Sequence, residues 1–348
     1  MRLCFFANTI PFDDFTLEER ALGGTETGVV RLARALNGLG HEVIVCTSAP
    51  NPRLSNPLYV NIESIRDVGP LDAFIAIRDW KVLNLEVFAK TKMLWTGDSY
   101  DQPFTLGLGD KRVVDLVDRL LTVSDWHTES LCEKSGFPRE KAFTLGNGIE
   151  PSLFQGSEER ARKRLIYSSV PYRGLQLMPD ILAALVEKHP DLELHCFSGF
   201  GVYGDLVHDN DKRNYADLLE RLGKYEQFHT HGNVPQRQLA REMMRSSILA
   251  YPNSFEETSC ITAMEAQAAG CVVVSSAKGA MPETVGSAGI LLDRQPGTAA
   301  YTKAFVDAVD SLFSDFDLWK QMSDIALERA QDFGWPIVAQ RLVDLIGK

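Results

Sequence analysis

Two carboxylates separated by seven residues, Glu257 and Glu265, are the groups in this chain whose types and spacing point most directly to chemistry. Glu265 is the one charge in residues 259–269 (SCITAMEAQAA), whose other side chains are apolar, small or neutral. A helix of that composition belongs inside a protein. Burying a carboxylate there with nothing to meet it costs several kcal/mol. A polar group must therefore approach Glu265. A basic side chain would make it structural, and the hydroxyls of a ligand would make it functional. Glu256 and Glu257 lie just before the helix, where acids complement its positive end. That effect is worth about 0.3–1 kcal/mol, too little to explain the burial of Glu265.

The elements that must position the pair favour a ligand. Residues 246–252 form a short apolar strand that Pro252 ends, and 253–258 (NSFEET) form a polar loop. The helix follows, with Thr258 or Ser259 as its N-cap, then Gly270 and a second buried strand, 271–275 (CVVVS). This is a strand–loop–helix–strand unit of the parallel α/β kind, whose loop opens at the carboxyl edge of the sheet. Free backbone N–H groups and the positive helix end meet there, which suits phosphate. One carboxylate can then face one side of a bound diphosphate while the second faces the other.

The same alternation runs through the whole chain. Strands are expected at 2–7, 42–46, 73–77, 92–95, 119–123 and 142–145, and again at 165–169, 192–197, 227–231, 248–252, 272–275 and 289–292. Helices are expected at 25–39, 125–134, 299–313 and 317–331, with a last amphipathic helix opened by Pro336. The turn cluster 146–151 (GNGIEP) marks the domain joint. The fold class is therefore α/β, with two doubly wound, Rossmann-like domains facing across a cleft. Their expected limits are 1–148 and 149–334, with helix 335–348 returning to the first.

Bulk properties narrow the function. A chain of 348 residues exceeds one ordinary core. Its net charge of -11 disfavours nucleic acid as a partner. The nearest thing to a basic run, 158–164 (EERARKR), reads as a solvated face. The six cysteines show no metal spacing and read as reduced core thiols of a cytoplasmic protein. A strand at residue 2, no leader pattern and no apolar run of membrane length argue against a transmembrane segment, while peripheral membrane contact stays open. Asp209-Asn210-Asp211 reads as a solvated loop and the histidines show no ligand spacing, so no metal is expected. Trp80, Trp95, Trp126 and Trp335 read as packing or cleft-wall residues, and Glu26 and Arg31 as surface charges.

With these neighbours, the chain resembles the retaining glycosyltransferases of family 4, which have the glycosyltransferase-B fold. The likeness covers nearly the entire chain. It is carried by the Glu257/Glu265 pair leading to AGCVVV, by GGTETGVVRLARALNGLGHEVIV, LTVSDWHTESL and LGNGIEPSLF, and by YRGLQLM and HGNVPQRQLAREMMRSSILAYPNSFEE. The resemblance implies transfer of a hexose from a nucleotide diphosphate sugar (UDP- or GDP-hexose, a co-substrate with no cofactor) to a hydroxyl acceptor. It implies that Glu265 holds the ribose hydroxyls. Glu257 would contact the transferred sugar, and the backbone N–H groups from Ser259, Cys260 and Ile261 to Thr262 would bind the diphosphate. Arg173 would meet the departing phosphate, Gly23 and Gly24 would let backbone approach the donor or acceptor, and Asn147-Gly148 would be the hinge.

The sequence departs from the family pattern at two positions. Ser168 stands where many relatives carry an Arg, leaving Arg173, the helix end and Lys278 to neutralise phosphate. Gly97 stands where a His is common, and Asp98 beside it is the substitute expected to accept from a hydroxyl. Two rival readings share these residues: a nucleotide-sugar epimerase of the same fold, and a non-catalytic sugar-nucleotide-binding protein. A nicotinamide-dependent dehydrogenase is disfavoured, because no Gly-x-Gly-x-x-Gly follows the first strand.

Overall fold

The computed structural model describes residues 1–201 and 208–347. The chain divides into two compact units, Met1–Gly148 with Phe333–Lys348, and Ile149–Asp332. Each is built on a parallel sheet.

The first unit contains β1 (Arg2–Ala7), β2 (Glu42–Thr47), β3 (Leu58–Asn61), β4 (Leu71–Ile77), β5 (Ala89–Trp95), β6 (Arg119–Thr122) and β7 (Ala142–Thr144), in the order β3-β2-β1-β4-β5-β6-β7. The second contains β8 (Arg164–Ser168), β9 (Glu193–Phe197), β10 (Phe228–Thr230), β11 (Ile248–Tyr251), β12 (Val272–Ser276) and β13 (Gly289–Leu292), in the order β10-β9-β8-β11-β12-β13. Strands covered on both faces read as continuous apolar runs, which is why RLCFFA and VVVSS were recognisable.

In the first unit the period of two sorts side chains between two cores. Leu3, Phe5, Val43 and Ile75 face the helices Gly24–Gly38 and Trp335–Ile346, while Cys4, Phe6, Ile44 and Phe74 face the other side. The final helix buries Trp335, Val338, Ala339 and Leu342 against this unit. It lies close because Gly28 has no side chain: a Cβ there would be 3.2 Å from Trp95 and 3.3 Å from Trp335. Gly148 is similarly tight, since a Cβ would fall 2.7 Å from the Trp335 ring.

Five local readings are corrected. Strand β3 was not anticipated: it is a four-residue edge strand in which only Tyr59 is buried, too short to signal itself. Asp209 and Asp211 are not in a solvated loop. They occupy the first turn of helix Asp209–Leu222, where acids favour the positive end. The 158–164 run is not simply a solvated face. Arg160 donates to the carbonyls of Ser246 and Ala269, and Arg162 lies 4.3 Å over Trp319. Glu26 and Arg31 are 7% and 9% exposed, not surface charges. Finally, the helix after the NSFEET loop is Ile261–Ala268, and its N-cap is Cys260 rather than Thr258 or Ser259. The cysteines are free thiols, as their spacing suggested.

Candidate functional site

The second sheet changes direction between β8 and β11: the chain runs outward through β9 and β10, then returns to β11 on the other side of β8. In open α/β sheets, ligands bind outside the carboxyl ends of the strands at that switch point. The loops leaving β8, β11 and β12 carry Arg173, Glu257 and Lys278.

Glu257 is 3% exposed and held from several directions. Its Oε2 lies 2.6 Å from Arg173 Nη1, and its Oε1 accepts from the Tyr251 hydroxyl at 2.5 Å. Burial first, and the Glu257 charge second, push the Tyr251 phenol well above its usual range, so it remains a donor. The Arg173 guanidinium lies 4.6 Å from the centre of the Phe255 ring.

Two glycines permit this convergence. Gly174 has φ +134°, and a Cβ there would be 2.2 Å from the Pro252 carbonyl oxygen, so the β8 loop passes directly against the β11 loop. Gly279 has φ +59°, and its Cβ would be 2.3 Å from the Glu257 carbonyl oxygen. The next residue, Ala280, donates its N–H to that same oxygen at 2.7 Å. Lys278, half-buried in the same loop, brings a cationic side chain to this end of the sheet.

Glu265 is 6% exposed on helix Ile261–Ala268, and its Oε1 accepts from the Gln236 amide at 2.7 Å. Gln236 is the first residue of helix Gln236–Arg245. A neutral amide supplies a hydrogen bond to the carboxylate without cancelling its charge. The entry to the Glu265 helix is unusual: Cys260 is non-glycine at φ 75°, a conformation that costs about 1–2 kcal/mol and calls for an explanation. Beside it the Ser259 hydroxyl is buried with no hydrogen-bond partner among the described residues. Ile261 and Thr262 begin the helix, and its first N–H groups have no acceptor within it. Ser168 is buried at the end of β8.

The first sheet reverses between β1 and β4. Gly23 and Gly24 open helix Gly24–Gly38, which leads from β1 to β2, with Gly23 as its N-cap. Asp98, after β5, is 7% exposed and engaged by both oxygens: Arg78 Nε lies 2.7 Å from Oδ2 and Nη2 lies 2.8 Å from Oδ1. Arg78 follows β4 directly and has φ 66°. The Asp98 carbonyl meets His127 Nε2 at 2.8 Å, and the Val123 N–H reaches His127 Nδ1 at 3.4 Å. That places the His127 proton on Nε2. Burial lowers its pKa, the Asp98 contacts opposing, so the ring is neutral at pH 7.

Sequence reasoning named Asp98 but missed Arg78 and His127, as it missed Tyr251 and Gln236 beside the glutamates. Arg78 carried a usable signal, being the first charge after an apolar strand at a carboxyl edge. Tyr251 carried one too, as the strand residue just before Pro252.

Two α/β units, each on a parallel sheet, give the glycosyltransferase-B fold. The same fold is found in solved structures: a glycosyltransferase from Rickettsia africae (TM-score 0.74, 14% identity, 99% of this chain and 97% of that one) and Anabaena HepE in complex with UDP-glucose (TM-score 0.74, 14% identity, 100% and 99%). Residues 158–329 match the model of the family described as glycosyl transferases group 1. Its curated relatives include the D-inositol 3-phosphate glycosyltransferase of Kribbella flavida, 27% identical over 264 residues, 70% of this chain and 59% of that protein. Spore coat protein SA of Bacillus subtilis is 24% identical over 262 residues, 68% of this chain and 66% of that protein. The chain thus spans less than two thirds of the length of these relatives. Among the described residues, no helix is long and apolar enough to cross a membrane.

Proposed function

We propose that the protein transfers a hexose from a nucleotide diphosphate sugar to a hydroxyl acceptor, with retention at the anomeric carbon and without a metal. The observation that carries this reading is the convergence of Arg173 and Glu257 at the switch point of the second sheet, beside a helix that presents its N-terminus and Glu265. Arg173 meets the leaving phosphate, with Lys278 adding charge. Glu257, steadied by Tyr251, accepts from hydroxyls of the transferred sugar. The N–H groups at Ile261 and Thr262 bind the diphosphate, with the buried Ser259 hydroxyl and the Cys260 backbone shaping that turn. Glu265 accepts from the ribose.

In the reaction, the bond between the anomeric carbon and the phosphate oxygen breaks. The acceptor oxygen bonds to the same face of that carbon, and its proton passes to the departing phosphate oxygen. The products are a glycoside and a nucleoside diphosphate. The chain supplies positioning and charge stabilisation, and no protein nucleophile is needed. Asp98, Gly23 and Gly24 are assigned to acceptor or donor contacts from the first unit, and Asn147-Gly148 to the hinge. The UDP-glucose bound by HepE and the acceptor named for the Kribbella relative make UDP-glucose and D-inositol 3-phosphate a first pair to test. A cytoplasmic location suits such donors.

The test is an acceptor panel with UDP- and GDP-hexoses, in chelator, following nucleoside diphosphate release and the anomeric proton of the product by NMR. A product with the donor's anomeric configuration is expected. Donor consumed without acceptor would favour an epimerase, and an inverted product would remove the retaining mechanism.

The ribose assignment has its own consequence. Glu265→Ala will weaken nucleoside diphosphate binding by about 1–3 kcal/mol, the cost of losing charge-assisted hydrogen bonds. Calorimetry showing wild-type affinity would remove Glu265 from the nucleotide site.

A further inference from the structure

The pairing of β9 with β10 gathers histidines that are scattered in sequence. His195 and His229 are register partners on these parallel strands, and Glu193, two residues before His195, falls on the same face. One ligand atom from each of the three lies within 4.8 Å of the others. His195 Nε2 is 3.0 Å from Glu193 Oε2, and the His195 and His229 rings are 4.7 Å apart between centres. The cluster sits at the β10 edge of the sheet, with Glu193 exposed and both histidines half-buried.

We propose that Glu193, His195 and His229 form a binding site for a zinc-like divalent cation. Two imidazoles and a carboxylate make a donor set suited to zinc, cobalt or nickel rather than to magnesium or calcium. A tetrahedral zinc with bonds of about 2.1 Å needs its ligand atoms roughly 3.4 Å apart. Side-chain rotations of the exposed Glu193 and half-buried His229 would close the present spacing, with water as the fourth ligand.

The surroundings supply the outer contacts such a site requires. His195 Nδ1 lies 3.0 Å from His231 Nε2, and without metal it accepts from Arg164 Nη2 at 3.1 Å. Without metal, the His195 proton sits on Nε2 and is donated to Glu193. With metal on Nε2 the proton moves to Nδ1, Arg164 turns from the ring towards Glu242, and Nδ1 donates to His231, the kind of second contact that fixes a ligating ring. Arg164 is the adverse charge, and it is engaged by Glu242, which also accepts from Arg245.

The full chain, stripped with chelator, should be titrated with ZnCl2 and separately with MgCl2 by calorimetry, and with CoCl2 by visible absorption. One zinc per chain, no magnesium heat and intense tetrahedral cobalt bands are expected. His195→Ala and His229→Ala should each weaken zinc binding more than ten-fold, and His231→Ala by roughly 10- to 100-fold. Glu193→Gln keeps the side-chain shape while losing the charge, and should weaken zinc without altering the circular dichroism spectrum. Absence of stoichiometric zinc, or wild-type affinity in the His195→Ala/His229→Ala double variant, would overturn the site. Neither result bears on sugar transfer, since these residues stand apart from Arg173 and Glu257.

Discussion

Arg173→Ala will lower turnover about 10²–10³-fold, the loss seen when one preorganised group facing developing charge is removed. In the proposed reaction, the charge at issue grows on the leaving phosphate oxygen as the glycosidic bond breaks. Arg173 also has a structural task, however, because it neutralises a Glu257 that is 3% exposed. Removing one partner of a buried pair costs about 3–5 kcal/mol when both are enclosed. The Arg173 side chain is 28% exposed, so water screens part of that loss. The two effects separate in a double-mutant cycle. Glu257→Gln removes the charge that Arg173 compensates, so Arg173→Ala/Glu257→Gln should recover most of the stability lost in Arg173→Ala. It should recover none of the turnover. Melting temperature and steady-state rates, read on the same four proteins, check this. If the double variant regained turnover, Arg173 would act only as a prop for Glu257.

Why part of this site was legible in the sequence, and part was not, follows from the range of the interactions involved. Glu265 announced itself because a single charge among apolar residues conflicts with the local pattern. The alternating apolar runs gave both sheets for the same reason: each signal lies within one window of chain. The answers to those local conflicts come from far away. The Gln236 amide that meets Glu265 comes 29 residues earlier, and the Arg173 that meets Glu257 is 84 residues away. No periodicity reports such a meeting, and only the switch-point topology brings the two loops together. Arg160 shows the same limit. In sequence it belongs to a charged run, yet it satisfies the Ala269 carbonyl at the end of the Glu265 helix. His195 and His229 share no spacing motif, because strand pairing rather than sequence distance makes them neighbours. Glu26 and Arg31 misled for a different reason: charged residues in a helix were assigned to the solvated surface, although both are buried.

Gly279→Ala will damage the site more than any change to an exposed residue. At φ +59° an alanine costs about 1–2 kcal/mol in backbone conformation alone. Its Cβ would also lie 2.3 Å from the Glu257 carbonyl oxygen and 2.7 Å from the Glu257 nitrogen, and backbone atoms cannot rotate away as a side-chain tip can. Either the 277–280 loop retreats or Glu257 does. The hydrogen bond from the Ala280 N–H to the Glu257 carbonyl ties the two segments together, so relief strains or breaks that link. With Glu257 in its proposed contact to the reacting sugar, a movement of about 1 Å takes its carboxylate out of register and costs about 100-fold in turnover. Because Glu265 and its helix are not in the path of the added carbon, nucleoside diphosphate affinity should change far less than turnover. A fall in kcat of about 100-fold, with calorimetric affinity for the nucleoside diphosphate within a few-fold of wild type, is the expected outcome. Wild-type turnover in a folded Gly279→Ala protein would show that the position of Glu257 does not govern the reaction.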